Sequence, residues 1–410
     1  MKQADDIDFN EYKNSPEIFK KLFFEEYWEK KPLLIKNFFN PGPLLMNVLK
    51  DLQDSLKDEL IKENIKAKIK GSIGTELIDF KSENNLFNFL PQSNLPDYLK
   101  SIEGFSGGKE FFIYLPSLCQ NSIFSWRKSL PLLKEVIQWT SLPMKGFDID
   151  LFFGSYKETP TMIHKDSASL KFLLSGKKRM LVWPQSTFET PGYSAEEIKF
   201  KSNHFLSKSV DEAALASAIS LSGNPGDALY WPSTYWHVSY NENSEFKMSA
   251  TIAWFQAIDI RKMLHQEKLK KFFFPAIPKG LRNLFLKEVE ETLHIEKLSL
   301  EDQQKVYDHF FIQSSKMGVE FPPFSNFSRE YLPSEMIEWG LVEIDLESHR
   351  LFLNGVPRTL SKHILEKINT FKTSKLEMNL THFQNELKSI ADNEELEIVL
   401  DFFKERRILI

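Results

Sequence analysis

Cysteine is nearly absent: Cys119 is the one thiol in 410 residues. A lone cysteine excludes an internal disulfide framework and zinc sites built on paired thiolates, and it fits a reducing compartment. Long apolar runs are missing too. Hydrophobic residues make up 42% of the chain, yet no stretch approaches the roughly 20 apolar residues of a membrane helix. The opening MKQADDIDFN is polar and acidic, unlike a secretory signal, so a soluble cytoplasmic protein without membrane contact is expected. Nor is there an excess of positive charge. Lys and Arg number 52 against 57 Asp and Glu, a net charge of −5, which argues against a globally basic nucleic-acid binder. Internal repeats and low-complexity tracts are lacking as well. What the chain has in quantity is phenylalanine, 36 residues, which predicts a large aromatic core. Its length allows two or three domains with sizeable cores.

Two segments carry the chemistry. Residues 161–183 read TMIHKDSASLKFLLSGKKRMLVW, and residues 225–240 read PGDALYWPSTYWHVSY. The first contains His164-x-Asp166. In a strand, residues i and i+2 point to the same face, so His164 and Asp166 can aim at one point while Lys165 points away. The second contains His237 in an aromatic, strand-like run. Two imidazoles and one carboxylate form the ligand set of a non-haem Fe(II) site, with positions left open for O2 and a co-substrate. A lone H-x-D is more often a solvated loop or a satisfied core histidine; the surrounding strands give it weight. A small antiparallel barrel brings such strands together around one small ligand.

After His164, Leu170-Lys171-Phe172-Leu173-Leu174 is apolar and strand-like, Ser175-Gly176-Lys177 is a turn signal, and Arg179 to Trp183 returns. This reads as a hairpin. Lys178 opens the returning strand. There it is either a ligand cation or, with Lys177 and Arg179, part of a solvated tip. Ala228 to Trp231, Tyr235 to Tyr240 and Met248 to Phe255 read as three further strands.

The run TPTMIHKD…SGKKRMLVWP…PGDALYWPSTYWHVSYN…IAWF resembles the JmjC and cupin-like 2-oxoglutarate oxygenases. That resemblance implies a double-stranded β-helix, with His164, Asp166 and His237 as Fe(II) ligands. It matches Lys178 to the cation that holds the far carboxylate of 2-oxoglutarate, Thr161 to a hydroxyl supporting the same carboxylate, and Trp254 to a wall of the co-substrate pocket. The segment from His164 to Gly176 is one residue shorter than in some relatives, which leaves Lys177 and Arg179 open as alternatives to Lys178. The segment FFEEYWEKKPLLI at 23–35 and the C-terminal third resemble the bacterial ribosomal oxygenases. The implied activity is Fe(II)-, O2- and 2-oxoglutarate-dependent hydroxylation of a protein or peptide side chain. Two other readings stay open: an oxygenase acting on a small molecule or a tRNA base, and a JmjC-like binding protein without catalysis.

The expected organisation is a catalytic domain over 1–257, mainly β with an N-terminal α/β elaboration, then a helical region over 258–330, then a winged-helix-like domain over 331–410. In the first, Pro41-Gly42-Pro43 marks a break after a helix and a strand, and Glu110 to Tyr114 reads as a strand. In the second, Arg261 to Phe274 and Lys279 to Leu293 carry apolar residues near a 3.6-residue period. The resemblance implies that they pair two copies into a homodimer. His265-Gln266-Glu267 repeats the H-x-carboxylate pattern on a helix, where i and i+2 diverge, so no metal is expected there. In the third, Leu341 to Ile344 and Arg350 to Leu353 are strand-like, an Asn354-Gly355 turn follows, and two helices and a final strand at Arg407 to Ile410 come after it. No concentrated basic helix is present, so direct DNA binding is not expected.

Overall fold

The computed structural model describes residues 1–116, 146–255 and 336–405, apart from 58, 83–89, 91–93, 189–196, 201–202, 207–209, 338, 340–341, 354–355 and 375–376, together with the isolated positions 136, 140, 299 and 308. It divides into two compact units, Met1–Ser129 with Asp148–Phe255, and Leu130–Phe147 with Gln256–Ile410. The expected dimer helices, the H-x-E at 265–267 and the final strand all lie outside the described residues.

The chain begins with strands β1 (Lys2–Gln3) and β2 (Asp5–Asp8), helix α1 (Pro16–Leu22), a π-helical turn Phe23–Tyr27 and strand β3 (Leu33–Lys36). Helices α2 (Pro41–Ser55) and α3 (Glu59–Lys68), strands β4 (Lys70–Ile73) and β5 (Glu76–Leu77), helix α4 (Leu95–Ser106) and strand β6 (Phe111–Leu115) follow. Next come β7 (Gly146–Ser155), β8 (His164–Lys165), β9 (Ala168–Ser175), β10 (Lys178–Pro184), β11 (Glu197–Phe200), β12 (Asn203–Leu206), helix α5 (Glu212–Ser217), β13 (Ile219–Gly223), β14 (Ala228–Trp231), β15 (Tyr235–Ser239) and β16 (Phe246–Phe255). Pro41-Gly42-Pro43 is therefore not a break but the first turn of α2. Proline is tolerated there because the first N–H groups of a helix have no intrahelical partner.

The strands form two sheets. One has the order β1-β13-β10-β15-β8-β12-β11, the other β2-β3-β14-β9-β16-β7-β6-β4-β5. The chain crosses between them repeatedly: β9 lies in the second sheet, β10 to β13 in the first, β14 in the second, β15 in the first and β16 in the second. The expected β9–β10 hairpin is thus a corner that carries the chain from one sheet to the other. Gly176 makes the corner, with φ +69°, and a side chain there would collide with the Phe246 carbonyl. Left-handed backbone of this kind favours glycine.

Side-chain alternation gives each sheet an inner and an outer face. Between the sheets, Leu173, Leu229 and Trp231 pack with Met180, Val182 and Leu221. Outside the first sheet, Leu181, Trp183, Trp236 and Val238 are covered by Phe188 and by Ala214 of α5. Outside the second sheet lies an aromatic layer. Phe23 meets Tyr230 at 4.9 Å between centroids, Trp28 stacks on Tyr230 at 5.7 Å, and Phe38 and Phe39 flank Phe172 at 5.9 and 5.6 Å. Both faces of β9 and β14 are therefore buried, which explains why apolar residues occupy both faces of each strand.

The second unit holds an antiparallel sheet of β17 (Val342–Asp345), β18 (Arg350–Leu353) and β19 (Val356–Thr359). Helices α6 (Lys362–Thr373), α7 (Leu380–Leu387) and α8 (Asn393–Glu405) follow, three where two were expected. Leu353 pairs with Val356 across the expected Asn354-Gly355 turn, which itself lies outside the described residues. No helix among the described residues is long and apolar enough to cross a membrane.

Candidate metal centre

The inner face of the first sheet presents the three expected ligands. Strands β8 and β15 are antiparallel neighbours, and His164 stands directly opposite His237. Their ring centroids are 4.2 Å apart. Asp166 follows β8 on the same face, with Oδ1 3.8 Å from His237 Nε2. One ligand atom from each residue lies within 4.8 Å of the others. This is the only such group of three or more His, Cys, Asp and Glu side chains among the described residues.

The residues around these ligands orient them. His164 Nδ1 lies 2.8 Å from the Met162 carbonyl and His237 Nδ1 3.4 Å from the Tyr235 carbonyl. An N–H on each Nδ1 leaves the Nε2 lone pair for a metal, the arrangement usual for ligating histidines. Trp231 packs 4.9 Å from the His237 ring. Burial, followed by the nearby His164, holds the His237 imidazole well below its ordinary pKa, hence in the neutral form that a metal binds. The Ser167 amide donates to Asp166 Oδ1 at 2.6 Å and its hydroxyl at 3.1 Å, which fixes the carboxylate. Nitrogen–nitrogen–carboxylate donors on one side of a shared point fit a divalent iron with open positions.

At the corner the three basic side chains point in different directions. Lys178 lies inside, 1% exposed, and its ammonium donates to Tyr156 Oη at 2.7 Å and Ser249 Oγ at 3.0 Å. Lys177 is exposed and pairs with Glu242 at 3.4 Å. Arg179 donates to the Tyr240 carbonyl at 2.7 Å and faces Glu242 at 3.6 Å. Burial, then the charges of Lys171 and Lys247, pulls the Lys178 ammonium well below the ordinary lysine pKa.

The other two expected residues sit elsewhere. Thr161 donates to Thr159 Oγ1 at 2.9 Å, whereas the hydroxyls on Lys178 are those of Tyr156 and Ser249. Trp254 is fully buried on the outer face of the second sheet, where it meets Trp28 edge-on at 5.4 Å. It alternates with Ser249, Thr251 and Ala253, whose side is the inner one. Sequence reasoning missed Lys171, which is 3% exposed on the inner face and donates to Thr251 Oγ1 at 2.7 Å. It also missed Asp150, whose Oδ2 lies 3.4 Å from Tyr114 Oη, and Phe152, stacked on Tyr114 at 4.8 Å. The available signal for Lys171 was a lysine inside an otherwise apolar strand.

Among solved structures, the chain is similar to ycfD of E. coli, with a TM-score of 0.49, 14% identity, and 92% of this chain and 94% of that one covered. It is also similar to YcfD, a ribosomal oxygenase from Escherichia coli, in complex with cobalt and succinic acid (TM-score 0.47, 15% identity, coverage 95% and 96%). The same protein with cobalt and 2-oxoglutarate gives a TM-score of 0.47 and 14% identity over 95% and 96% of the two chains. No curated protein matches the chain. Residues 20–259, more than half of the sequence, match the model of the cupin-like domain. The chain belongs to the cupin-like domain family.

Proposed function

We propose that the protein is an Fe(II)- and 2-oxoglutarate-dependent oxygenase that hydroxylates a side chain of a protein or peptide. The observation that carries this reading is the convergence of His164, Asp166 and His237 on one point inside a barrel that also buries the Lys178 ammonium. A protein does not bury a cation against neutral hydroxyls without cost. An anionic ligand entering the barrel offsets that cost, and 2-oxoglutarate is a dianion with a keto acid at one end.

Bound iron supplies the oxidising power, in concert with O2 and the keto acid. The rest falls to the chain. Lys178 holds the far carboxylate, and Tyr156 and Ser249 fix the position of its ammonium. The Met162 and Tyr235 carbonyls fix the imidazole rings, and Ser167 fixes the carboxylate. Trp231 and Phe152 wall the site against water, which strengthens each of these charge contacts. Thr161 and Trp254 serve this scheme indirectly, through the Thr159 loop and the Trp28 packing.

A peptide substrate and a homodimer complete the proposal, on the strength of the likeness of 23–35 and the C-terminal third to ribosomal oxygenases. Incubation of candidate ribosomal peptides with the enzyme, Fe(II), O2 and 2-oxoglutarate tests the substrate class. A mass gain of one oxygen on a peptide supports it. Turnover with small molecules or tRNA bases and with no peptide or protein contradicts it.

A further inference from the structure

The barrel interior holds a second buried ammonium that the metal centre and Lys178 leave unexplained. Lys171 comes from β9 and Lys178 from the start of β10, on either side of the Gly176 corner. Lys171 Nζ lies 3.9 Å and Lys178 Nζ 5.5 Å from the centroid of the same ring, Phe152. On its other side, Lys171 is 5.9 Å from the Trp231 centroid, and Trp231 packs 4.9 Å from His237. Neighbour to neighbour, the contacts therefore run His237, Trp231, Lys171, Phe152, Lys178. The electrostatic neighbours agree: Asp150 and Asp166 act on Lys171, whereas Lys171 and Lys247 act on Lys178.

Among the described residues, Lys171 has one hydrogen-bond partner, the Thr251 hydroxyl at 2.7 Å. Among the described residues, neither Lys171 nor Lys178 has a carboxylate at ion-pair distance. Two such cations beside one ring, of which only Lys171 also feels the Asp166 carboxylate, suit a ligand with two anionic ends. If Lys178 takes the end remote from the metal, Lys171 stands where the other end must lie. Its position is not that of a surface lysine folded inward, because both faces of β9 are buried and its stem runs along Phe152 and Trp231.

We infer that Lys171 is a second anion anchor, which binds the carboxylate next to the keto group of the 2-oxo acid at the metal end of the cavity. This rests on the proposed function and adds to it a residue and a binding mode. It makes the site selective for 2-oxo acids through two cations, one for each carboxylate.

Binding is measured by calorimetry on the full chain loaded with Co(II), with 2-oxoglutarate and with 2-oxobutyrate, which lacks the far carboxylate. Lys171→Met should weaken both ligands by a similar factor, on the order of ten- to a hundred-fold for loss of a charge-assisted contact, while Co(II) affinity is kept. Lys178→Met should weaken 2-oxoglutarate and leave 2-oxobutyrate unchanged. Thr251→Val leaves the charge and removes only the hydroxyl that holds it. It should weaken both ligands by a smaller factor, and it decides the matter if Lys171→Met does not fold. Unchanged binding of both ligands by the Lys171 variant, or weakening of 2-oxoglutarate alone, overturns the inference and leaves the proposed function standing. If wild-type protein binds neither 2-oxo acid, the proposed function fails as well.

Discussion

Replacing Lys178 by Met should weaken ligand binding and, as pH falls, shift stability toward the variant. The side chains are close in volume, and Lys178 is 1% exposed, so the change removes a charge without opening a large cavity. Two hydrogen bonds, to Tyr156 and Ser249, are lost, at roughly 1 kcal/mol each. Against this stands the burial of the ammonium, which pulls its folded pKa well below 10.5. The unfolded chain then binds a proton that the folded chain lacks throughout the interval between the two values. Stability of the wild type is full above the unfolded pKa and is lost as pH falls toward the folded one, by up to about 1.4 kcal/mol per pH unit. The Met variant has no such loss. Between pH 10 and pH 8 the stability gap should therefore shift toward the variant. Urea denaturation of the metal-free protein at both values measures it. In the same variant, 2-oxoglutarate affinity should fall on the order of ten- to a hundred-fold. A gap independent of pH together with unchanged 2-oxoglutarate binding would refute the reasoning.

The metal ligands and the corner residues give further tests. His164→Ala and His237→Ala should each abolish tight Co(II) binding, read by its visible absorption, while the melting temperature of the metal-free protein changes little; tight Co(II) binding by either would sink the ligand assignment. Lys177→Ala and Arg179→Ala should leave 2-oxoglutarate binding near the wild-type value, because both side chains point to Glu242 outside the barrel; a large loss in either would show that the register is wrong. Gly176→Ala should destabilise by more than the ~1–2 kcal/mol of a left-handed residue, since its Cβ also meets the Phe246 carbonyl; a neutral effect in denaturant titration would contradict the corner geometry.

Much of the site was legible in the sequence. His164, Asp166 and His237 are marked by spacing and by the strands that flank them, and Lys178 by its place after Gly176. What the pattern does not carry is the sheet to which a strand belongs. Strands β9 and β10 look like a hairpin because each is apolar and a turn signal lies between. Only the packing of Leu173 against Met180 across the core reveals two sheets. Lys171 was invisible for a related reason. A charged residue in an apolar strand normally marks a solvent face, and here that face is the barrel interior. Trp254 was placed in the pocket by resemblance, but alternation along β16 turns it to the outer aromatic layer with Trp28. The helix start at Pro41 was missed because Pro41-Gly42-Pro43 was read as a break. Pro41 stands where a missing N–H is tolerated, in a first helical turn.

The most direct test is conversion of 2-oxoglutarate to succinate by purified protein given Fe(II) and O2, with His237→Ala assayed beside it. The wild type should give stoichiometric succinate once substrate is supplied and slow uncoupled turnover without it, and the variant none. Equal succinate from both proteins, or none from the wild type when it holds iron and 2-oxoglutarate with a range of peptides and lysate proteins, would contradict this.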